Sequence, residues 1–222
     1  MKKSLILFPL LLIMVLVSMP VDNVQAGKKD ESKWSGKKLY MRKTCMACHG
    51  RGGKKAILAY PNLAGQDEKY LANQMKDIAS GKRLASNDPT GHPRTEGMKG
   101  VMHLVSKDQM KKIAKWLSTE SPAPLHKDTK NLDPARVAQG KKIYTKLKCK
   151  TCHGVDGKKP LKGKPYVAGQ KKQYLVLQME DMKSGIRKNG QSGTMRAFIK
   201  KASSSDIELM AEYLSQVSRA KK

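Results

Sequence analysis

The sequence predicts an all-α chain made of two tandem helical units, and three observations carry that expectation. A set of residues in the first half returns in the second at a constant offset. The closing segment of each half places apolar residues at i, i+3, i+4 and i+7, the period of one helix face. No stretch alternates apolar and polar residues in the manner of a half-buried strand.

The repeat defines the elements in order. Gly36-Lys-Lys-Leu-Tyr40 returns as Gly140-Lys-Lys-Ile-Tyr144, an offset of 104, and the spacing predicts a first helix from about Ser35 into Cys45. At the same offset Cys45, Cys48, His49, Gly50 and Gly53 return as Cys149, Cys152, His153, Gly154 and Gly157. Ala64-Gly65-Gln66 returns as Ala168-Gly169-Gln170. A middle helix, about Glu68 to Ile78, carries Tyr70, Leu71, Gln74, Met75 and Asp77, which return as Tyr174, Leu175, Gln178, Met179 and Asp181. Gly81 with Arg83 returns as Gly185 with Arg187; beyond them the offset falls to 97, so the first half holds seven extra residues before Met98. Those residues fall in Asn87-Asp88-Pro89-Thr90-Gly91-His92-Pro93, a run of turn formers that reads as a surface loop. The final helix has Met110, Ile113, Ala114 and Leu117 on one face, mirrored by Ile207, Met210, Ala211 and Leu214. Ser106 and Gln109 stand at capping-box spacing before it.

The chain opens with Lys2 and Lys3, runs apolar from Leu5 to Val17 and reaches Val24-Gln25-Ala26. That is the form of a cleavable secretory signal. The apolar run is shorter than the roughly 20 residues that cross a bilayer, and Pro9 interrupts it. Residues 1–26 are therefore read as a signal peptide, 27–120 as the first unit, 121–133 as a linker rich in proline, and 134–222 as the second unit. The destination is the periplasm, with the mature chain soluble or peripheral. Formal charge is +27, from 45 basic and 18 acidic residues, and loss of Lys2, Lys3 and Asp22 leaves +26. Such a field attracts acidic surfaces. Export removes nucleic acid as a partner and leaves acidic redox proteins or an anionic membrane face.

Each unit is about 90 residues, and aromatic side chains make up only 5% of the chain, too few to fill two small cores unaided. A large apolar cofactor would supply what is missing. Cys45-Met-Ala-Cys48-His49 and Cys149-Lys-Thr-Cys152-His153 are both C-x-x-C-H, the attachment signature of c-type haem. One helical turn spans the two vinyl groups on a porphyrin edge, and the following histidine reaches the iron. A redox dithiol would call for a βαβ setting, absent here. Structural zinc would bring both cysteine pairs into one module, whereas each pair sits in its own copy. Two disulfides, the ordinary reading of four cysteines in an exported chain, leave the paired histidines unexplained.

Iron with one histidine takes a sixth ligand or keeps an open face. Methionine is usual in electron carriers, because a soft thioether favours ferrous iron and raises the potential. Among 13 methionines, Met195 precedes the last helix of the second half and aligns with Met98, both outside the apolar stripe. They are the candidate ligands, with Met102 a rival to Met98 and His103 behind it. Tyr70, Gln74, Tyr174 and Gln178 face either haem propionates or solvent. His92 and His126 read as solvated. Lys54-Lys55 and Lys158-Lys159 follow the motifs and are candidates for a docking surface.

Taken together, G-x-x-x-Y before C-x-x-C-H-G, then N-L-A-G-Q (Asn62 to Gln66), Y-L-x-x-Q, G-x-R, and a methionine before a helix ending in L-S resemble the cytochrome c-4 family, over nearly all of residues 34–218. The resemblance implies two tandem class I cytochrome c domains, each wrapped around a covalently bound haem c. It further implies ligand pairs His49 with Met98 and His153 with Met195, and electron delivery to terminal oxidases or other periplasmic enzymes. Two departures stand out: the longer loop before Met98, and Pro165-Tyr166-Val167 where the first half has Asn62-Leu63. The expected function is a respiratory electron carrier rather than an enzyme. The alternative is a dihaem oxidoreductase acting on a small sulfur or peroxide substrate.

Overall fold

The structure is a computed structural model, and it describes residues 30–126 and 131–219. The expected signal peptide, and residues 127–130 of the linker, lie outside the described residues. No described helix is long and apolar enough to cross a membrane. The first domain contains α1 (Gly36–Arg42), α2 (Cys45–His49), α3 (Glu68–Ala79), α4 (Glu96–Met102) and α5 (Lys107–Thr119). The second repeats them as α6 (Pro134–Lys146), α7 (Lys150–His153), α8 (Lys172–Ser184), α9 (Ser192–Ile199) and α10 (Ser204–Ser215). Among the described residues the extended pairing is a single bridge between Asn87 and Pro93.

Local chemistry starts each helix. Ser106 and Gln109 form the expected capping box on α5, and Ser203 with Asp206 forms its equivalent on α10. The Asp67 carboxylate accepts from the Tyr70 backbone N–H at the start of α3. Asp133 caps α6 ahead of Pro134, whose missing N–H costs nothing in the first turn. The first helix is shorter than the spacing predicts. It stops at Arg42, and Thr44 takes a left-handed conformation (φ 60°) before α2 begins. Lys148 does the same in the second domain (φ 56°). Each break re-aims the chain so that the motif forms its own short turn.

Two cores follow from this layout. Leu39, Tyr40, Leu71, Met75, Ile113 and Leu117 are buried in the first; Tyr144, Leu175, Met179, Ile207, Met210 and Leu214 in the second. In both domains the opening and closing helices cross at a glycine. A Cβ on Gly36 would overlap the Lys112 carbonyl, and one on Gly140 the Leu209 carbonyl. The adjacent tyrosines stack against the partner helix, Tyr40 on Trp116 (5.1 Å between ring centres) and Tyr144 on Tyr213 (5.9 Å).

The two domains pack through hydrogen bonds that obey the repeat. The Gln66 side-chain amide donates to the Tyr166 carbonyl (2.9 Å) and accepts from its N–H (2.6 Å). Gln170 makes the same pair with the backbone of Asn62, at 2.9 Å in both directions. The exchange is reciprocal, as a local twofold relation requires. The turn-rich insertion departs from expectation. Its tip is at the surface, but its flanks grip the second domain. Arg94 pairs with the Asp181 carboxylate (3.1 Å), which also accepts from the Ser86 backbone N–H (3.1 Å). At 1% exposure Asp181 is a buried charge, and Arg94 compensates it. The tail returns to the first domain, where Arg219 donates to the carbonyls of Gly65 (2.9 Å) and Ala64 (3.1 Å) and lies over the Tyr166 ring.

The glycine crossing gives a direct test. Gly140→Ala must push α6 off α10, and overpacking of this kind costs about 1–3 kcal/mol. We expect a lower thermal midpoint for the holoprotein by circular dichroism; an unchanged midpoint would show that the helices are not this close.

Candidate haem sites

Each motif is held from two directions. The Tyr40 hydroxyl donates to the Gly50 carbonyl (2.7 Å), and Tyr144 to that of Gly154 (2.8 Å). The distant tyrosine of G-x-x-x-Y thus fixes the residue after the motif histidine. Gly50 and Gly154 have φ of 73° and 75°, and a Cβ there would strike the backbone of Lys55 or Lys159. The motif turn can close only at glycine.

The histidines are buried, with Nδ1 of His49 2.9 Å from the Pro61 carbonyl and Nδ1 of His153 3.0 Å from that of Pro165. Burial pushes both imidazoles below their ordinary pKa, so the neutral ring is favoured. A neutral ring facing a carbonyl must carry its proton on Nδ1, which leaves the Nε2 lone pair for a metal. This is the outer hydrogen bond that orients a ligating histidine. It also removes one expected departure. The turns around Asn62 and Tyr166 differ in sequence but present the same proline carbonyl to the same nitrogen.

None of the four cysteines is in a disulfide. Burial pushes the Cys45 and Cys149 thiols up to about 11, the opposite of an activated redox dithiol. In the second domain Cys149, Cys152 and His153 line a cavity of 350 Å³ together with Met179, Met195, Phe198, Met210 and Leu214. The cavity is apolar around the motif and polar towards the first domain, where Arg83, Tyr174, Gln178 and Arg187 reach it. That suits a flat apolar ring with acidic groups on one edge.

The polar end is shared crosswise. Arg83 donates to the Tyr174 hydroxyl (3.0 Å) and to Gln178 (2.9 Å). Arg187 donates to Gln178 (2.6 Å), Gln74 (3.0 Å) and the Tyr70 hydroxyl (3.3 Å). Tyr70, Gln74, Tyr174 and Gln178 are half-buried, line the cavity and hydrogen-bond across the two domains. Both arginines are buried, and Arg83 Nε has no hydrogen-bond partner among the described residues. A buried cation with a spare donor fits an anionic group such as a haem propionate.

The methionines separate by position. Met98 lies in α4 and Met195 in α9, both half-buried, and Met195 shares its cavity with His153. Met102 is 1% exposed inside the first core, and its counterpart at the 97 offset is Ile199, equally buried. Isoleucine cannot bind iron, so that position is a packing position in the repeat. His103, His92 and His126 are exposed. Lys54 is drawn into an ion pair with Glu120 (3.1 Å) and a hydrogen bond to Ser121, while Lys55, Lys158 and Lys159 are exposed.

Sequence reasoning found every motif residue but did not assign Gln66, Gln170, Arg83, Arg187 or Asp181. Their signal was present: buried polar residues returning at the repeat offset, where a solvated face has no reason to repeat.

The cytochrome c family profile matches residues 35–121 and 137–218. Cytochrome c4 of Pseudomonas aeruginosa is 30% identical over 179 residues, covering 77% of this chain and 82% of its own length. The thiosulfate dehydrogenase electron acceptor of Stutzerimonas stutzeri is 28% identical over 183 residues, covering 78% of each chain. The crystal structure of reduced recombinant cytochrome c4 from Pseudomonas stutzeri superposes with a TM-score of 0.68 at 30% identity, over 82% of this chain and 97% of that one. With two cytochrome c domains, a covalent haem c in each, and this likeness along its length, the chain belongs to the cytochrome c family as a dihaem member of the cytochrome c4 group.

Proposed function

We propose that the chain is an exported carrier that passes single electrons between respiratory partners in the periplasm, and that it performs no bond-making chemistry of its own. The observation that carries this reading is the doubled site: a buried histidine held by a proline carbonyl, paired at the repeat offset with a methionine ahead of the closing helix. In this reading Cys45 and Cys48 hold the first haem and Cys149 and Cys152 the second. His49 with Met98, and His153 with Met195, complete the two iron sites.

Bound haem supplies a one-electron couple at iron. The protein sets the conditions for it. Tyr40 and Tyr144 hold the motif turns, the proline carbonyls keep each imidazole in one orientation, and the apolar walls keep out water and exogenous ligands. Arg83 and Arg187 place positive charge between the domains, where it would offset the propionates of a bound haem. A methionine on each iron leaves no exchangeable position for a substrate, which is why the carrier reading is preferred to an oxidoreductase. The relative named as an electron acceptor of thiosulfate dehydrogenase supports the same role. The leader sequence supports export. The basic surface supports partners that are acidic redox proteins or membrane oxidase and reductase complexes, with anionic membrane as a further attractive surface.

Replacing the sixth ligand tests the assignment. Met195→Ala is expected to abolish the far-red thioether-to-iron band of the second haem and let it bind carbon monoxide or cyanide, with the first haem unaffected. Met98→Ala should do the same for the first haem, and Met102→Ala should leave both bands in place. Retention of the full band in Met195→Ala would refute that ligand.

The charge gives a second test. Steering by a strong field raises association rates by about 10 to 1,000-fold at low salt. The Debye length falls from about 10 Å at 0.1 M to about 3 Å at 1 M. Bimolecular electron transfer with an acidic partner should therefore slow steeply as salt rises, while transfer between the two haems hardly changes. Lys55, Lys158 and Lys159 changed to Glu should flatten part of that dependence in stopped-flow measurements. A rate indifferent to salt would assign the basic surface another purpose.

A further inference from the structure

The helix that carries each candidate sixth ligand is weak by itself. Met98 lies in α4, which has seven residues, and Met195 in α9, which has eight. Isolated helices this short are unstable in water. Neither has a side-chain hydrogen bond at its N-cap, whereas α5 and α10 both have capping boxes. Gly97 and Gly100 stand in α4 and Gly193 in α9, and a Cβ at any of the three would meet open space. No crowding calls for glycine there, and each one weakens its helix relative to alanine. The main helical neighbour of α4 is α3, and that of α9 is α8, the middle helix of the same domain. What keeps the methionine in place must act across that contact.

The contact carries a repeated cation. The residue after each methionine is basic, and Met98-Lys99 returns as Met195-Arg196 at the 97 offset. Each cation reaches the glycine at the C-terminal end of the middle helix. A Cβ at Gly81 would stand 3.6 Å from Lys99 Nζ, and one at Gly185 would stand 2.8 Å from Nη2 and 2.9 Å from Cζ of Arg196. The Arg196 guanidinium thus fills the space that a side chain at 185 would take. Both glycines have positive φ, 71° and 85°, so the turn and the cation call for the same residue. The last carbonyls of a helix carry partial negative charge, which favours a cation, most strongly where it is partly buried. Lys99 is exposed; Arg196 is half-buried, and its Nε has no hydrogen-bond partner among the described residues. Charge and packing against the end of α8, rather than a bond through Nε, hold the guanidinium there.

We propose that Lys99 and Arg196 are positioning residues for the sixth ligands, each tying a methionine-bearing helix to the carbonyl end of the middle helix. In the second domain the tie joins two walls of one cavity. Met195 lines it from α9, and Leu175, Met179 and Met182 line it from α8, opposite Cys149, Cys152 and His153. If α9 swings away from α8, the thioether leaves with it and the site opens to a ligand from solution. The tie keeps that open fraction small. Arg196 holds more firmly than Lys99, because it is the more buried of the two. This rests on the carrier reading above, in which Met98 and Met195 are the ligands.

The test titrates imidazole into the oxidised dihaem holoprotein. A ligand from solution binds only the open site, so its apparent affinity reports the open fraction. Met98→Ala leaves one thioether-to-iron band, that of the second haem, and Arg196→Gln is measured in that background. Imidazole should displace the band at about tenfold lower concentration than in Met98→Ala alone, as suits loss of a partly buried cation at a helix C-terminus. Arg196→Lys, which installs the residue the first domain uses, should recover most of the difference. Lys99→Gln, measured in Met195→Ala, should shift the first haem by about threefold, as suits an exposed cation. Displacement at the same imidazole concentration with and without Arg196 would overturn the tie. Should Arg196→Gln be too unstable to titrate, the exposed Lys99 decides by the same measurement, and an unshifted curve there would overturn it. A thioether band of undiminished strength in Met98→Ala would instead sink the ligand assignment, and the tie with it.

Discussion

The arrangement depends on one close approach, the crossing of the first and last helix of each domain at Gly36 and Gly140. Because no Cβ fits between the helices, their backbones touch, and the tyrosine one turn further on is pressed against the closing helix. Its hydroxyl then reaches the glycine after the motif histidine. Through that bond the crossing sets the motif turn, and the turn sets the imidazole against the proline carbonyl. A shift of the crossing would be felt at the motif histidine, although more than ten residues separate them in sequence.

Small helical units of this size bury too little surface to be rigid by themselves. Two devices compensate. The cofactor fills the space that large aromatic side chains would otherwise occupy, and the domains lend each other polar groups. The glutamine exchange satisfies backbone groups of Asn62 and Tyr166 that would otherwise lie unpaired in the interface. Each domain's arginine is hydrogen-bonded by the other's middle helix. The interface is therefore polar, directional and specific in register, where an apolar one would tolerate sliding.

Duplication supplied two equal halves, and the contacts between them then diverged. Asp67 remains a helix cap, while Lys171 at the same place became a brace reaching into the other domain. The seven-residue insertion became a clasp on Asp181. Around the motifs the backbone stayed the same while four positions, Thr44, Met46, Leu58 and Tyr60, stand where the second copy has Lys148, Lys150, Lys162 and Lys164. Symmetry survives in the motif turns, where Tyr40 and Tyr144 make the same bond to Gly50 and Gly154, and is lost in the contacts between the domains.

The sequence by itself determined the helical class, the two-domain plan, the attachment motifs and their histidines, because these depend on local spacing: one helical turn between cysteines, 3.6-residue periodicity, a glycine where φ must be positive. The capping box at Ser106 and the stripe from Met110 to Leu117 were legible for the same reason. The break at Thr44 was not, since nothing local marks that residue as left-handed. The repeat sets Met98 opposite Met195 and Met102 opposite Ile199, but that Met102 lies in the core while Met98 is half-buried was visible only in the folded chain. That Tyr70 and Gln74 meet Arg187 of the other domain was visible only in the tertiary structure. So were the reach of Lys171 and the burial of Asp181. A side chain's partners across an interface depend on how two surfaces meet, and residues about a hundred positions apart carry no local trace of that meeting.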